Sequence, residues 1–344
     1  MSARNILIWL PSPMGDAIMA TPALRSIREC FADTKIYFCA SKTVADVLSP
    51  TSFADGWVIV KKNNPFAIAA ELRKHKFDAA ILFKNSFASA MAVFLAGIKS
   101  RIGYAREGRG FLLNGKLYPQ KVSAFKYEPV SVIDYYLAIA DAIDGAATNK
   151  KMQLEVAKND REVIGEKFAN YLVRSKPVVI IVPGGAFGPS KIWPEERFAA
   201  VIDFLVENFS ANVFISVSPA AQERRIAEKI CSLAKHPAVN LADTPVSLGQ
   251  LKALFHFSDL VISNDTGPRH IAIALGKKII TLFGPNNPAW TQSDYDDEIK
   301  IVADMPCAPC DKPVCKKDKH YCMQSITAQS VCAAAEKVLS EWRK

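Results

Sequence analysis

The chain has 344 residues, of which 50% are hydrophobic and 22% are charged. This composition is typical of a globular protein and excludes a mainly disordered chain, a collagen and a coiled coil, while the length predicts two domains. No apolar run approaches the roughly 20 residues that a membrane-spanning helix needs. The first residues lack the pattern of a secretory signal, so we expect a cytoplasmic protein with reduced cysteines.

Positive charge is concentrated in the first half of the chain. The formal net charge is +9, and residues 1–150 hold 19 basic residues against 12 acidic ones. Within 99–126, seven basic residues accompany one acid, Glu107. Such a segment indicates an anionic partner, which would be a nucleic acid, an acidic membrane surface or an acidic substrate. A solvated basic surface would give the same pattern.

Short β-like runs alternate with helical spacing through the first half. Strands are predicted at 5–10, 35–40, 57–60 and 79–83, and helices at 16–31, 42–50, 65–75, 86–96 and 129–144. A small, polar stretch at 144–158 is interpreted as a linker. The alternation then restarts, with strands at 178–182, 212–217, 260–263 and 278–283. This order predicts two consecutive Rossmann-like α/β domains, each with a parallel sheet.

Three strand-to-helix turns could carry chemistry, because ligands of open α/β sheets bind at the carboxyl ends of the strands. The first turn contains Gly15 and Asp16. Glycine allows a backbone to approach a ligand closely, and the aspartate offers a carboxylate. The alternative interpretation of Asp16 is a helix N-cap, a position that aspartate often fills.

The second and third turns have the residue types of phosphate sites. Residues 183–194 combine three glycines with Ser190 and Lys191, and backbone amides with a helix dipole favour an anion there. The alternative is a flexible loop with an exposed lysine. In the third turn Asp265 and Thr266 precede a helix that bears His270 in its first turn. Capping by Asp265 and a backbone-bonded histidine are the alternatives there.

Together these segments resemble glycosyltransferase family 9, the ADP-heptose:lipopolysaccharide heptosyltransferases. Gly15-Asp16 with residues 20–25 is similar to the N-terminal motif of the family. Residues 183–194 are similar to its P-G-x-x-x-G-P-x-K-x-W-P segment, and 264–270 to its D-[ST]-G-x-x-H motif, followed by Phe283-Gly284-Pro285. The form of the second motif and a cysteine cluster resemble the heptosyltransferase II subgroup most closely.

The resemblance implies a GT-B fold, in which two Rossmann-like domains face each other across a cleft. Residues 1–158 would bind the acceptor and 159–325 the nucleotide sugar, and a helix in 326–344 would pack back on the N-terminal domain. The implied reaction is inverting, metal-independent transfer of heptose from ADP-L-glycero-D-manno-heptose to the inner core of lipopolysaccharide. No cofactor and no nucleic acid would be needed. The lipid-anchored acceptor implies peripheral contact with the cytoplasmic face of the inner membrane.

The resemblance also assigns roles to residues. Asp16 would be the general base, with a pKa lowered by the helix N-terminus, and Lys191 would neutralise the departing diphosphate. The acceptor side would comprise Gly15, Arg101, Arg106 and Arg109. The donor side would comprise Gly184, Gly185, Ser190, Lys191, Glu223, Asp265, Thr266, Gly267 and His270. Arg269 departs from the commoner family forms and adds a cation beside this site.

Four clustered cysteines offer a further site. Cys307, Cys310, Cys315 and Cys322 are enough thiols for a tetrahedral structural zinc, although their spacing is not that of a standard zinc finger. Four reduced thiols are the alternative. Asp294-Tyr295-Asp296 resembles a metal-binding D-x-D, but we interpret it, with Glu298, as a solvated acidic loop.

Two other functions remain open from the sequence. A nucleic-acid-binding protein would use the cysteine cluster and the basic segment 99–126. Another nucleotide-sugar enzyme, such as an epimerase, could use the same two-domain architecture, because a fold does not fix a function.

Overall fold

The computed structural model describes residues 4–61, 64–123, 126–145, 149–185, 187–317 and 319–340. The chain divides into two compact units. The first unit runs to Glu155 and includes 289–294, and the second unit comprises 156–288 and the chain from Tyr295 onward. The division falls after Glu155 rather than after 158, and a short segment of the second half of the sequence belongs to the first unit.

The first unit is a sheet of parallel strands that alternate with helices. Its strands are β1 (Asn5–Trp9), β2 (Lys35–Ala40), β3 (Gly56–Ile59), β4 (Ala79–Leu82), β5 (Ser100–Tyr104), β6 (Gly115–Leu117), β7 (Lys121–Ser123) and β8 (Lys126–Tyr127). Its helices are α1 (Met14–Met19), α2 (Thr21–Cys30), α3 (Lys42–Leu48), α4 (Pro65–Arg73), α5 (Phe87–Leu95) and α6 (Val132–Asp141). The order in the sheet is β3-β2-β1-β4-β5-β6, and β7 pairs with β8 in a separate antiparallel ribbon.

The second unit repeats this plan. Its strands are β9 (Val178–Val182), β10 (Asn212–Ile215), β11 (Val239–Asn240), β12 (Leu260–Asn264), β13 (Ile279–Phe283) and β14 (Glu298–Val302). Its helices are α7 (Lys158–Lys167), α8 (Glu195–Phe209), α9 (Ala221–Leu233), α10 (Leu248–Phe257), α11 (Gly267–Ala274), α12 (Tyr321–Ser325) and α13 (Ala328–Ser340). The order in the sheet is β11-β10-β9-β12-β13-β14, and all neighbours are parallel.

The central strands explain why the sequence folds in this way. Every residue of β4 and β9 is buried, and such continuous apolar runs fit parallel strands that helices cover on both faces. Both sheets have the strand order of doubly wound folds, in which the chain changes direction between the first and fourth strands. Ligands of such sheets bind at the carboxyl ends beside this switch point, which here follows β1 and β4 in one unit and β9 and β12 in the other.

The helix predicted over 16–31 is two helices. The first, α1, ends at Met19, and α2 begins at Thr21 with Pro22 in its first turn. A proline fits there because the first amides of a helix have no intrahelical partner. The Thr21 hydroxyl donates to the Ile18 carbonyl at 2.7 Å and so ties the two helices together.

The predicted linker is largely part of the first unit. Arg25 Nη2 donates to the Asn149 carbonyl at 2.9 Å, and the Gln153 amide donates to Thr21 Oγ1 at 3.0 Å. Glu155 accepts a hydrogen bond from the Ser52 hydroxyl at 2.9 Å. These bonds hold 149–155 along the unit, and residues 146–148 of the predicted linker lie outside the described residues.

The described part of the last helix belongs to the second unit, and its predicted packing on the N-terminal domain stays a prediction. Helix α13 carries Val331, Ala335 and Leu339 at helical spacing, and these side chains belong to the core of the second unit. They pack with α8 in that unit. An apolar stripe of this kind is buried by the nearest complementary face, which α8 supplies. Residues 341–344 lie outside the described part of the chain.

Among the described residues, no helix has both the length and the apolar character needed to cross a membrane.

Candidate active site

A cavity of about 600 Å³ lies within the first unit, beside the switch point of its sheet. Asp16 from α1 and Asn85, which follows β4, line it with Arg106 and Trp290. Six aromatic side chains contribute to its walls, namely Tyr104, Tyr118, Tyr127, Tyr135, Tyr136 and Trp290. The volume is within the range of small-molecule sites, and aromatic walls are typical of them.

Asp16 is one of three carboxylates that line this cavity, with Glu128 and Asp134, and it is not a helix cap. The N-cap of α1 is Pro13, and Asp16 lies within the helix. Burial raises its pKa from the ordinary 3.8 to about 6. The predicted lowering by the helix is wrong, because α1 has only six residues and the loss of solvation outweighs its dipole. Ionised Asp16 is close enough to Tyr136 to add to the rise in the tyrosine pKa that burial causes.

Arg106 is the predicted acceptor-side arginine that the structure brings to the cavity. Its guanidinium lies 4.1 Å from the centre of the Tyr127 ring, and Nη1 is 3.5 Å from the Tyr135 hydroxyl. A guanidinium stacked on an aromatic ring retains in-plane donors for an anionic group. Gly15 directly precedes Asp16 in α1.

Arg109 and Arg101 are not placed as ligand contacts, contrary to prediction. Arg109 is buried, which lowers its pKa to about 10, and it donates to the Tyr104 carbonyl at 3.0 Å and to Asn85 Oδ1 at 2.9 Å. It also donates to the Lys84 carbonyl. Arg101 lies near the amino end of β5, where it donates to the Leu112 carbonyl at 2.7 Å. Both guanidinium groups therefore donate to backbone carbonyls, because donors that are shielded from water need acceptors within the protein.

Asn85 is a cavity residue that the sequence analysis missed. Arg109 fixes its amide oxygen, and its Nδ2 donates to the Tyr135 hydroxyl at 2.8 Å. Tyr135 in turn stacks on Tyr104, with ring centres 3.8 Å apart. This chain of contacts gives the cavity wall a fixed orientation. Asn85 directly follows the predicted strand 79–83, and that position was the available signal.

In the second unit, the turns after β9 and β12 meet through a buried ion pair. Lys191 Nζ donates to Asp265 Oδ2 at 2.8 Å and to the Asp265 carbonyl at 2.6 Å. Both side chains are buried, so the alternative of an exposed lysine on a flexible loop is wrong. Burial alone would raise the pKa of Asp265, but the charges of Lys191 and Arg269 lower it. The two turns thus place one cation and one anion at the switch point.

Arg269 extends this pair into a buried network with Glu298. Its Nε donates to Glu298 Oε1 at 2.6 Å and its Nη2 to Oε2 at 2.9 Å, and both side chains are 0% exposed. Arg269 Nη1 also lies 3.2 Å from Asp265 Oδ1. The interpretation of Glu298 as part of a solvated acidic loop is wrong, because the residue begins strand β14. The isoleucines at 299 and 301 were the missed strand signal.

His270 is buried and uncharged at neutral pH. Burial is the main cause that lowers its pKa to about 3, and the neighbouring Arg269 adds to the effect. The alternative of a backbone-bonded histidine does not hold for Nδ1, which has no hydrogen-bond partner in the described part of the structure. A buried ring nitrogen without a partner requires an explanation, and a bound ligand would supply one.

The remaining donor-side residues lie around the same turns. The Glu223 carboxylate, which accepts from the Ser218 amide at 2.8 Å, lies against Gly184, where any side chain would collide with it. Thr266 Oγ1 is 3.6 Å from the position that a Cβ on Gly185 would take. Thr266 is the N-cap residue of α11, its side chain makes no capping bond, and Gly267 opens the helix. The capping role therefore does not fall to Asp265.

Comparison with known proteins identifies the fold and the family. The model of glycosyltransferase family 9 (heptosyltransferase) matches residues 66–321. The chain belongs to this family. It is 25% identical to lipooligosaccharide heptosyltransferase 2 of Campylobacter jejuni, over 97% of this chain and 98% of the relative, and 28% identical to lipooligosaccharide heptosyltransferase 2 of Haemophilus ducreyi, over 98% and 99%.

A solved structure shows the same fold. The structure of the Escherichia coli ADP-heptose lipopolysaccharide heptosyltransferase II is similar with a TM-score of 0.80 and 23% identity, over 99% of this chain and 100% of that one. This likeness shows the α/β fold of the GT-B type. Of the functions left open by the sequence, membership of family 9 selects the glycosyltransferase.

In this family 9 glycosyltransferase, Ser190 holds the Gly-rich turn in place. Its hydroxyl donates to the Lys312 carbonyl at 2.7 Å and its amide to the Pro313 carbonyl at 3.1 Å. Gly188 has φ +150° and packs against Pro313 so closely that a Cβ would collide with its carbonyl. Ser190 was predicted to bind the donor. In the structure its hydroxyl proton is donated to the Lys312 carbonyl.

The cysteine cluster does not form a metal site in the structure. Burial raises the pKa of Cys322, and charge on Cys307, Cys310 and Cys315 raises it further. The four thiols therefore lie in one region. Within the described ranges, however, no group of three or more His, Cys, Asp or Glu side chains is arranged to hold a metal ion. The zinc prediction therefore gains no support from the geometry.

Proposed function

We propose that this glycosyltransferase moves heptose from ADP-L-glycero-D-manno-heptose to the inner core of lipopolysaccharide, with inversion and without a metal ion. The observation that carries the proposal is Asp16, a carboxylate with a pKa of about 6 in a cavity of sugar size. The names of the relatives, which are lipooligosaccharide heptosyltransferase 2 in two organisms, support the donor sugar and the class of acceptor.

Asp16 would act as the general base. Its carboxylate would take the proton of the acceptor hydroxyl while the acceptor oxygen forms a bond to the anomeric carbon of heptose. The bond from that carbon to the diphosphate breaks in the same displacement, and ADP leaves with the electron pair. A pKa of about 6 leaves Asp16 mostly ionised at pH 7 but makes it a better proton acceptor than an ordinary aspartate. Arg106 would orient an anionic group of the acceptor.

Lys191 and the start of α11 would receive the leaving diphosphate. Lys191 supplies a positive charge beside Thr266 and Gly267, where the first amides of a helix point at an anion. When Lys191 turns to phosphate, Asp265 keeps the guanidinium of Arg269 at 3.2 Å and the Asn286 amide at 3.2 Å. The carboxylate is therefore not left without partners during the reaction.

The test is transfer with defined substrates. Purified protein is incubated with ADP-heptose and with heptose-deficient lipopolysaccharide cores, with and without EDTA, and ADP release, product mass and anomeric configuration are measured. We expect acceptor-dependent turnover that EDTA leaves unchanged and a product of inverted configuration. Folded protein that turns over no core acceptor would overturn the proposed substrates, and loss of activity in EDTA would overturn the metal-free mechanism.

Replacing Lys191 with Met should separate the donor role from folding. We expect kcat to fall by about 10²–10³-fold and the affinity for ADP to weaken, because one preorganised cation is removed from the leaving group. Calorimetric titration with ADP and steady-state kinetics measure the two effects. Lys229→Met, on the exposed side of α9, is the matched control and should leave both unchanged. Equal kinetics for the two variants would contradict the role of Lys191.

A further inference from the structure

Helix α5 of the first unit has an apolar outer face that no described residue covers. Phe87 and Phe94 are 43% and 48% exposed, and the partly buried Met91 lies between them on the same side of the helix. Phe111, which is 71% exposed, adds to this side because its ring centre lies 6.1 Å from that of Phe87. We call these four side chains the α5 face. The opposite side of α5, with Ala90 and Val93, is buried in the core.

The composition of α5 makes this exposure unusual. Residues 85–98 contain no charged side chain. A helix that is apolar all round is normally buried, and exposed apolar patches of this kind mark a surface that something else covers. The residues here are aromatic rings and a methionine, which suit an adaptable apolar contact.

Basic residues flank the α5 face along the chain, and the acids nearest to them are Asp78, on which the charge of Lys99 acts, and Glu71 on the neighbouring helix α4. The uncharged stretch is bounded by Lys84 and Lys99. Arg101 lies 5.4 Å from the centre of the Phe94 ring, and Arg73 donates to the Leu95 carbonyl at 2.6 Å, which brings two more cations to the carboxyl end of the helix. Glu107 is the one acid in 79–127. Apolar rings bordered by cations complement a bilayer that has an anionic surface above an apolar interior.

The α5 face also adjoins the acceptor cavity through the chain. Asn85 lines the cavity, and Phe87 lies two residues later on the outside. Arg109 holds Asn85, and Phe111 lies two residues after Arg109. A partner that covers the α5 face would therefore lie next to the place where an acceptor enters. If the acceptor is anchored by lipid, as the proposed function requires, a lipid surface meets this condition.

We propose that the α5 face docks on an anionic lipid bilayer, with Phe87, Met91, Phe94 and Phe111 inserted at the interface and the flanking cations against the headgroups. The inference rests on the proposed function for its choice of partner. The contact needs neither a spanning helix nor a covalent anchor, and it places the acceptor cavity of the first unit at the membrane surface.

The test compares vesicle binding of the full chain and of two variants. Phe94→Ser/Phe111→Ser removes two exposed rings that do not line the cavity, and Lys99→Glu reverses one flanking charge. Leu233→Ser, at an exposed apolar position on α9 in the second unit, is the matched control. Co-sedimentation is measured with vesicles of phosphatidylcholine alone and with phosphatidylglycerol added, at low and high salt.

We expect the native protein and the control to bind the anionic vesicles and to release them in high salt. The double phenylalanine variant should bind at least about tenfold more weakly, and Lys99→Glu at least about fivefold more weakly. With delipidated core oligosaccharide the kinetics of these variants should equal those of the native protein, whereas with vesicle-embedded acceptor their KM should rise.

Two results would overturn the inference. Equal vesicle binding by the double variant and the control would show that the α5 face is not the docking surface. A native dimer that Phe94→Ser/Phe111→Ser converts to a monomer in sedimentation, with unchanged vesicle binding, would show that a second copy covers the face. Because vesicle binding is measured without transfer, bound protein that lacks heptosyltransfer would contradict the proposed function and leave the docking surface standing.

Discussion

Asp16→Asn should lower kcat by about 10²–10⁴-fold while the affinity for ADP-heptose stays unchanged. The amide has nearly the same shape as the carboxylate but cannot accept the proton of the acceptor hydroxyl. In the native enzyme kcat/KM should fall below about pH 6, because Asp16 then carries a proton already. The variant should lose this limb of the profile. Asp33→Asn, on an exposed turn before β2, is the control.

The same substitution should make the protein more stable at neutral pH. Because burial raises the pKa of Asp16 above its ordinary 3.8 to about 6, the folded protein holds the proton more tightly than the unfolded chain. The native protein therefore loses stability as pH rises from about 4 to 6, by roughly 3 kcal/mol at most for a shift of this size. Asparagine removes that penalty. Urea unfolding should show a gain at pH 8 and almost none at pH 4.

A variant that is inactive and less stable than the native protein at pH 8 would contradict this account. That result would mean that Asp16 is held by stabilising contacts and that its loss acts through the fold. Retained transfer by Asp16→Asn would overturn the assignment of the base, whatever the stability.

Glu298→Gln should lower the free energy of unfolding by about 3–5 kcal/mol, since it leaves the buried charge of Arg269 without its bidentate partner. Glu298 and Arg269 are each 0% exposed, and Glu298 Oε1 also accepts from the Thr281 hydroxyl at 2.6 Å. Water therefore cannot replace the lost carboxylate. Denaturant unfolding followed by circular dichroism measures the change.

Glu162→Gln is the matched control for this prediction. Glu162 forms an exposed pair with Lys158 one helical turn away in α7, with an N–O distance of 3.5 Å, and such pairs contribute less than about 1 kcal/mol. Replacing both buried partners, in Arg269→Met/Glu298→Leu, should restore part of the stability because the Arg269 charge is removed together with its carboxylate, while Asp265 keeps Lys191 at 2.8 Å. Equal losses in Glu298→Gln and Glu162→Gln would show that the network does not support the second unit.

The sequence predicted the parts of the fold that local pattern controls. The buried strands β1, β4, β9 and β12 have apolar runs bounded by turn residues, and the turns after them contain Asp16, Lys191 and Asp265, as the turn analysis indicated. Strands β5, β6, β7, β8, β11 and β14 were missed. β11 has two residues and β6 three, and β14 alternates charged residues with isoleucine next to an acidic turn, so neither length nor apolar content distinguished them.

The partners of charged residues could not be predicted in the same way. Arg101, Arg106 and Arg109 lie within nine residues of one another, and their sequence contexts are similar. In the structure Arg101 donates to a loop carbonyl, Arg106 lines the cavity, and Arg109 is buried and donates to backbone carbonyls. These outcomes depend on which strand end each residue reaches. The pairing of Arg269 with Glu298, and the burial that raises the pKa of Asp16, likewise arise from contacts distant in sequence.

The two sheets have one strand order, and in both of them the side chains of interest follow the first and fourth strands. The residues proposed above for the acceptor side come from 16–136 with Trp290, and those proposed for the donor side from 184–298. Because the two sets share almost no stretch of chain, the proposed roles imply that substitutions which retune the choice of acceptor need not disturb recognition of the nucleotide. The duplicated plan thus gives the family two separately evolvable halves, and a chimera that exchanges one half should inherit one specificity at a time.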